Sequence, residues 1–425
     1  MRQMDRKIRI LVIATNRWFS IGQFLSALIR VGFEVAIICP PGNPIEHIRN
    51  LSARYKYRSW RSENSIRNAI ADWKPALLVC NDDVAVRELH KMYRQACIET
   101  SCPESAALVN LIQLSLGDPR SFAISTSKSR QISVALTLKI ACPPTTVLNA
   151  YQDLDRHLGH LIYPALVKSD QSWGGRGVRT VHTDRELLQA ILELSFPHDW
   201  PKSLKWLVAR ALTAVPVVWR PPLPQDLNFQ SYIGGRPANR AVVCWQGKIL
   251  AGITVEAIET DSEFGPTTLA RIIEHAEITE TAEKIVESQR LSGFLGFDFV
   301  LDHANRAWFL EMNPRVTPAC HLRFRAPSLA AALFLKLTGE QPSSEIREVP
   351  EDMIALFPNR VSTKSGQYSY FDDVPEEEPA FVKACRRAQF RRKILGWRKF
   401  GGGRQINGSA RKSPIALLPE GTNDI

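Results

Sequence analysis

The stretch from Gly293 to Arg315 limits most strongly what this chain can fold into. It reads GFLGFDFVLDHANRAWFLEMNPR, and apolar residues alternate with polar or small ones on both sides of a polar break. That period predicts two strands joined by a turn. A two-residue turn at Ala304 and Asn305 places Asp298 directly opposite Glu311, whereas a bulge would change this register.

Two facing acids fit either of two kinds of hairpin. An ordinary hairpin carries polar residues on a solvated face. Phe309 and Val300, which a regular alternation places beside the carboxylates, favour a buried site, where facing carboxylates repel each other unless a cation separates them. Asn313 shares a face with Glu311 and adds a third oxygen. Such oxygen ligands suit a hard cation such as Mg2+, which takes one or two carboxylates plus substrate phosphates.

Length and composition indicate a globular protein of two or three domains. The chain has 425 residues, 44% of them apolar and 23% charged, as is usual for such proteins. The longest apolar run, Ser328–Leu337, is shorter than the ~18 residues of a membrane span. No signal peptide is recognisable, and the eight cysteines form no CxxC or zinc pattern. We therefore expect a cytoplasmic protein.

The positive charge is concentrated in the tail. Of the net charge of +11, the segment from Phe381 onward contributes +9 and the preceding 380 residues +2, so the composition does not favour a nucleic-acid-binding domain. Phe381–Phe400 is predicted to be a basic amphipathic helix. It would contact an acidic partner or a membrane surface, or else remain solvated or pack on the chain's own acids. Residues 401–425 are predicted to be disordered.

Strands and helices alternate in the first part of the chain, which predicts a parallel α/β sheet. The predicted strands are Ile8–Ala14, Phe33–Cys39 and Ala76–Cys80. Ligands of such sheets bind beyond the carboxyl ends of the strands. Thr15, Asn16, Asn81 and Asp82 are therefore candidate substrate contacts, with helix capping as the alternative. No GxGxxG follows the first strand, so a dinucleotide site is not indicated.

Lysines and glycines mark the middle of the chain after a break near residue 120. Lys128 opens a helical pattern, and Lys168 interrupts the apolar strand Leu161–Ser169, where it needs a partner or a route to solvent. A glycine-rich loop, Trp173–Gly177, then leads into the strand Val178–His182. Its backbone N–H groups could wrap phosphate oxygens, or it is a plain turn.

Less regular segments fill the remainder. Residues 196–226 are a Pro- and Trp-rich insertion. Phe229–Ile233 is a predicted strand, followed by a hairpin over Arg240–Val255 and a helix over Ile272–Gln289.

These features occur in the order found in the ATP-grasp superfamily, which the chain resembles over roughly residues 5 to 340. The resemblance is to the carboxylate–amine ligase and biotin carboxylase branch, and the ending FLEMNPR is its most specific part. It implies an α/β and α+β protein. An N-terminal parallel α/β (pre-ATP-grasp) domain over residues 1–120 would precede an ATP-grasp fold of two α+β subdomains over residues 121–340. A C-terminal extension would cover 341–400, before the tail 401–425.

The resemblance also implies roles for individual residues. Lys128 and Lys168 would contact the phosphates of ATP, and Gly174, Gly175 and Gly177 would form a lid over them. Gln230, Ser231, Tyr232 and Ile233 would form the hinge whose backbone binds adenine. Asp298, Glu311 and Asn313 would hold Mg2+, with Mn2+ as an alternative. Arg315 and Lys168 would be the catalytic residues, and Arg315 would steady the transferred phosphoryl group or an acyl phosphate.

The implied activity is that of an ATP-dependent ligase. It would activate a small-molecule carboxylate as an acyl phosphate for attack by an amine. The alternatives are an ATP-dependent kinase or phosphotransferase and a non-catalytic ATP-binding protein. Two departures from the family pattern matter. Gln230 occupies a usually acidic hinge position, and the stretch Val316–Cys320 lacks the Gln and Glu of biotin carboxylases, so biotin carboxylation is not expected.

Overall fold

The structure is a computed structural model that describes residues 7–17, 21–99, 102–148, 162–169, 177–196, 202–212, 227–262, 265–358 and 368–400, the last ten by backbone alone. Several predictions lie outside these residues: those for Gly174, Gly175 and most of the insertion 196–226, and the prediction of disorder for residues 401–425. The chain divides into two compact units, Met1–Cys385 and Arg386–Ile425.

A parallel four-stranded sheet in the order β3-β2-β1-β4 opens the chain. Its strands are β1 (Arg9–Ile13), β2 (Glu34–Cys39), β3 (Ala53–Lys56) and β4 (Leu77–Cys80). The three predicted strands are confirmed as β1, β2 and β4. The sequence pattern missed β3, a short edge strand in which half-buried and exposed residues alternate. Continuous apolar runs form β1, β2 and β4 because helices cover both faces of such a sheet.

The second sheet is antiparallel, in the order β5-β8-β6-β7. Its strands are β5 (Thr145–Leu148), β6 (Ala165–Ser169), β7 (Val178–Val181) and β8 (Leu227–Ser231). β8 lies between β5 and β6, which places Gln230 beside both Thr145 and Leu166. Lys168 follows Leu166 by two positions on β6, so its side chain points to the same face of the sheet as those of Leu166 and Gln230.

The third and largest sheet has seven strands among the described residues, in the order β13-β12-β9-β10-β11-β14-β15. These are β9 (Arg236–Trp245), β10 (Lys248–Thr260), β11 (Thr267–Ile273), β12 (Gly293–Leu301), β13 (Ala307–Asn313), β14 (Met353–Ala355) and β15 (Phe371–Asp372). The strands pair antiparallel except β14 and β15. The C-terminal extension therefore completes this sheet, which the sequence pattern did not indicate.

The α-helices are the other main elements of the described ranges. They are α1 (Gly22–Arg30), α2 (Ser62–Trp73), α3 (Asp83–Ile98), α4 (Pro103–Leu116), α5 (Phe122–Ser125), α6 (Lys128–Thr137), α7 (Asp184–Leu194), α8 (Lys202–Leu212), α9 (Ala276–Gln289), α10 (Leu329–Thr338) and α11 (Pro379–Phe400). The predicted start of the helix at Ile272 is wrong, because Ile272 and Ile273 end β11. The apolar side chains of Ile272 and Ile273 fit both a helical and a strand period. Their pairing with β10 makes them part of a strand. None of the helices in the described ranges has the length and apolar character to cross a membrane.

The sheets and helices confirm the predicted fold class, a parallel α/β part followed by α+β parts. The domain boundaries near residues 120 and 340 remain predictions. The predicted C-terminal helix is present as α11. Its first turns are anchored in the first unit, where Phe381 is fully buried and its ring lies 5.9 Å from that of Phe357.

Candidate active site

The hairpin of β12 and β13 places Asp298 opposite Glu311, as the sequence predicted, but by another route. The turn is not the two-residue turn at Ala304 and Asn305. A three-residue loop ends with Asn305 in the left-handed region (φ 61°), and this shifts the pairing by one position. A bulge that leaves Leu310 unpaired shifts it back. The two displacements cancel, so the two carboxylates face each other.

The bulge also corrects the prediction that Phe309 lies beside the carboxylates. In a regular strand Phe309 and Glu311 would share a face. With Leu310 bulged out, Phe309 pairs with Phe299 and is fully buried in the core on the other face. Its ring centroid lies 5.8 Å from that of Phe299. The bulge therefore separates the apolar core from the polar face that carries the two acids.

Asp298 is held between two amides. It lies on the central strand β12, with Asn239 of β9 on one side and Glu311 on the other. Asn239 Nδ2 donates to Asp298 Oδ1 at 2.6 Å, and Asn313 Nδ2 donates to Oδ2 at 2.8 Å. Burial, followed by the charge of Glu311, raises the pKa of Asp298 to about 6 despite these hydrogen bonds. A bound cation would therefore stabilise the charged form of this carboxylate.

Glu311, unlike Asp298, forms an ion pair with a cation among the described residues. Lys128 Nζ lies 2.9 Å from Glu311 Oε2, and Lys128 is the first residue of α6. Burial opposes ionisation of Glu311, but Lys128 and Lys168 together hold its pKa below the usual value. The predicted phosphate lysines and the predicted metal carboxylates are thus parts of one electrostatic cluster.

Lys168 is buried on β6 and paired with a neutral residue. Its Nζ donates to Gln230 Oε1 at 2.6 Å, and Gln230 Nε2 in turn donates to Thr145 Oγ1 at 2.9 Å. Burial lowers the pKa of Lys168 to about 8. The amide of Gln230 orients the ammonium without neutralising it, so the charge is available to an anionic ligand.

A single cavity of about 570 Å³ brings the predicted residues together. The predicted site residues that line it are Lys128, Lys168, Gln230, Ser231, Tyr232, Ile233, Asp298, Glu311, Asn313 and Arg315. Gly177 is buried and its carbonyl accepts from the N–H of Ser169, but it is not among the described lining residues. The individual roles of these residues remain predictions.

Arg315 is held by three groups. Its Nε donates to both oxygens of Asp83 at 3.2 Å, its Nη2 donates to Asn313 Oδ1 at 3.1 Å, and its Nη1 donates to the carbonyl of Val316 at 3.3 Å. A guanidinium carries five N–H donors, so two remain for a ligand. Asp83 begins α3, so the helix that follows β4 supplies a residue that fixes Arg315 in the cavity.

The substrate contacts proposed at the end of the N-terminal strands are positioned differently. Asp82 caps α3 through Ala85 N–H at 3.0 Å and accepts from the N–H and hydroxyl of Thr15. These contacts fit the capping alternative. The cavity is instead lined by Asp83 and Arg87. The sequence analysis did not identify either residue. Asp83 directly follows Asp82, and Arg87 lies little more than one helical turn beyond Asp82.

Gln131 was also missed, and it supports the edge strand that carries Glu311. Its Oε1 accepts from the N–H of Met312 at 2.8 Å, and its Nε2 donates to the carbonyl of Met312 at 3.0 Å. The buried side chain of Gln131 thus satisfies backbone groups of β13 that would otherwise pair with a neighbouring strand. The clue was a polar residue on the apolar side of the α6 pattern, beside Ile132.

We expect Gln131→Leu to lower the free energy of unfolding by about 2–4 kcal/mol, because it leaves two buried backbone groups unpaired. Urea denaturation would measure the change. Ser133→Ala, at an exposed position of the same helix, should alter stability by less than about 0.5 kcal/mol. Equal stability of Gln131→Leu and the wild type would contradict the assigned support.

The residues present fit a divalent cation held with a nucleotide. No cluster of three His, Cys, Asp or Glu side chains occurs in the described part of the chain, so a cation here would depend on Asp298, Glu311, the Asn313 amide and a ligand's phosphates. This is the donor set that Mg2+ prefers. Burial and the charge of Glu311 raise the pKa of Asp298, and a bound cation would offset both effects.

Known proteins were compared with the chain by sequence and by structure. No family model and no curated protein matches it. Solved structures do match the chain. The L-amino acid ligase of Bacillus licheniformis is 13% identical over 78% of this chain and 75% of its own, with a TM-score of 0.51. The biotin carboxylase domain of Hydrogenobacter thermophilus 2-oxoglutarate carboxylase, in complex with MgADP and bicarbonate, is 15% identical over 79% and 71%, with a TM-score of 0.55.

A third solved structure extends the likeness. The carboxyaminoimidazole ribonucleotide synthase of Aspergillus clavatus, complexed with ATP, is 15% identical over 80% of each chain, with a TM-score of 0.54. Similarity at identities this low shows the fold alone. The chain therefore shares the fold of these three enzymes, the ATP-grasp fold that its sequence resembles.

Proposed function

We propose that the protein is an ATP-dependent ligase that activates a small-molecule carboxylate as an acyl phosphate and transfers the acyl group to an amine. One observation carries this proposal: the facing carboxylates, both lysines, the hinge strand and Arg315 line a single cavity. The fold is that of enzymes named as ligases, carboxylases and synthases, which supports ligation over simple nucleotide binding.

The charges of the cavity suit phosphoryl transfer, which needs positioning and charge neutralisation more than covalent help. Lys168 and Lys128 would bind phosphate oxygens, and Ser231 to Ile233 would bind the base. Asp298, Glu311 and Asn313 would hold Mg2+, which, when bound, offsets the phosphate charge. Arg315 would direct its two remaining N–H donors at the transferred group.

The reaction then balances in two steps. In the first, a carboxylate oxygen attacks the γ-phosphorus of ATP, and the bond to the β–γ bridging oxygen breaks to release ADP. In the second, the neutral amine attacks the acyl carbon, the C–O bond to phosphate breaks with its electron pair, and the nitrogen loses a proton. The products are an amide, ADP and phosphate. The first step supplies the leaving group that a free carboxylate lacks.

Trapping with hydroxylamine tests this function. Purified protein would be incubated with ATP, Mg2+, a panel of carboxylic acids and hydroxylamine. We expect one acid or a group of acids to yield a hydroxamate and an equal amount of ADP, because hydroxylamine intercepts an acyl phosphate. A phosphorylated acceptor without hydroxamate would support the phosphotransferase alternative. ATP binding without ADP release for any acid would support a non-catalytic protein.

A further inference from the structure

The contacts within the cavity form two groups, which the electrostatic attraction between Lys168 and Glu311 links. Lys168 contacts the hinge strand at Gln230. Lys128 contacts Glu311, which faces Asp298. A last series of hydrogen bonds joins Asp298 to Asn313, Asn313 to Arg315 and Arg315 to Asp83. If the hinge binds the base of ATP, the end at Asp83 is the far side of the phosphates, where the second substrate must enter.

Arg87 lies at this far end. It follows Asp83 by four residues on α3, so both side chains occupy one face of the helix, with Cβ atoms about 6 Å apart, and both line the cavity. Arg87 is exposed. Among the described residues it has no hydrogen bond or ion pair, unlike Lys128 with Glu311 and Arg315 with Asp83.

The remaining cations of the cavity already have roles under the proposed function. Lys128 and Lys168 are assigned to phosphates, and Arg315 to the transferred group. Arg87 is thus the described cavity cation left for an anion that belongs to neither ATP nor the reacting carboxylate. Beside it, the side chain of Asp83 is 28% exposed and presents a carboxylate to the same space. An acid and a guanidinium one turn apart match the ammonium and carboxylate of an amino acid.

Resting on the proposed function, we propose that Asp83 and Arg87 form the acceptor subsite and that the acceptor amine carries a carboxylate, as an amino acid does. Arg87 binds that carboxylate and so determines specificity for the acceptor. Asp83 has two tasks: it positions Arg315 and lies beside the incoming amine. A site built to pair a carboxylate discriminates against an analogue without it, because the guanidinium then loses its partner.

The test compares amino acids with their carboxamides as acceptors. Once hydroxylamine trapping has identified the activated acid, ADP formation would be measured with a panel of amino acids and the corresponding amides. For the wild type we expect kcat/KM to favour the acid form by at least about tenfold. In Arg87→Gln the ratio of kcat/KM for the acid to kcat/KM for the amide should fall to about one, because the KM for the acid rises.

Arg94→Gln is the matched control. Arg94 lies seven residues further along α3, is exposed and does not line the cavity, so the same loss of charge should leave the preference unchanged. A wild type without preference for the acid, no acceleration by any amino acid, an undiminished preference in Arg87→Gln, or an equal loss in Arg94→Gln would each overturn the subsite. The absence of hydroxamate in the wild type would overturn the proposed function instead, since hydroxylamine carries no carboxylate.

Discussion

Replacing Glu311 with glutamine is expected to lower turnover by about a thousandfold while the protein stays folded. Glutamine keeps the shape of the side chain but removes the charge that pairs with Lys128 and that would hold Mg2+ opposite Asp298. Metal-assisted charge neutralisation contributes several kcal/mol to such transfers, and about 4 kcal/mol corresponds to a thousandfold. The rate of ADP release at saturating ATP and Mg2+ would measure the loss, and circular dichroism would verify the fold.

Glu280→Gln is the appropriate comparison for this variant. Glu280 lies on α9 in an exposed ion pair with Lys284, and such pairs contribute little, so its loss should leave turnover unchanged. Wild-type turnover in Glu311→Gln would remove Glu311 from the mechanism and with it the proposed cation site.

Replacing Lys168 with methionine is expected to weaken ATP binding by about a hundredfold, because the loss of one partner from a buried charged contact costs roughly 2–5 kcal/mol. The wild type should also show a pH dependence that the variant lacks. Phosphate binds the charged lysine, whose pKa in the free protein is lowered by burial to about 8. Affinity is therefore full below this pKa and falls as the pH rises through it, by up to about tenfold per unit. Calorimetric titration between pH 6 and 10 would measure both effects.

Two further variants separate this explanation from a general effect of charge. Gln230→Glu places a carboxylate at the atom that now accepts from Lys168, so it should keep the lysine charged and move the loss of affinity to higher pH. Lys248→Met removes an exposed charge on β10 and should leave the pH profile intact. The same fall above pH 8 in Lys168→Met as in the wild type would show that another group titrates.

Much of the fold could be predicted because local patterns carry it. Apolar runs specify β1, β2 and β4, since strands buried on both faces tolerate few polar residues. The helical start at Ile272 was wrong because a short apolar segment fits both periods, and only the pairing of β11 with β10 decides. β14 and β15 carry too few residues for any period to be visible, so their place in the large sheet depended on partners distant in sequence.

The sequence by itself determined the chemistry: two carboxylates, an amide and an arginine at strand spacing, with two lysines and a hinge strand preceding them. Tertiary structure decided how these groups meet. Asp298 faces Glu311 because a longer turn and a bulge shift the strand register in opposite directions. The bulge is specified by the packing of Phe309 into the core rather than by the alternation of residues. Asn239 and Asp83 join the site through contacts across 59 and 232 positions of the chain. Periodicity reports only near neighbours along the chain, whereas a buried charge is satisfied by whichever residues the fold brings beside it.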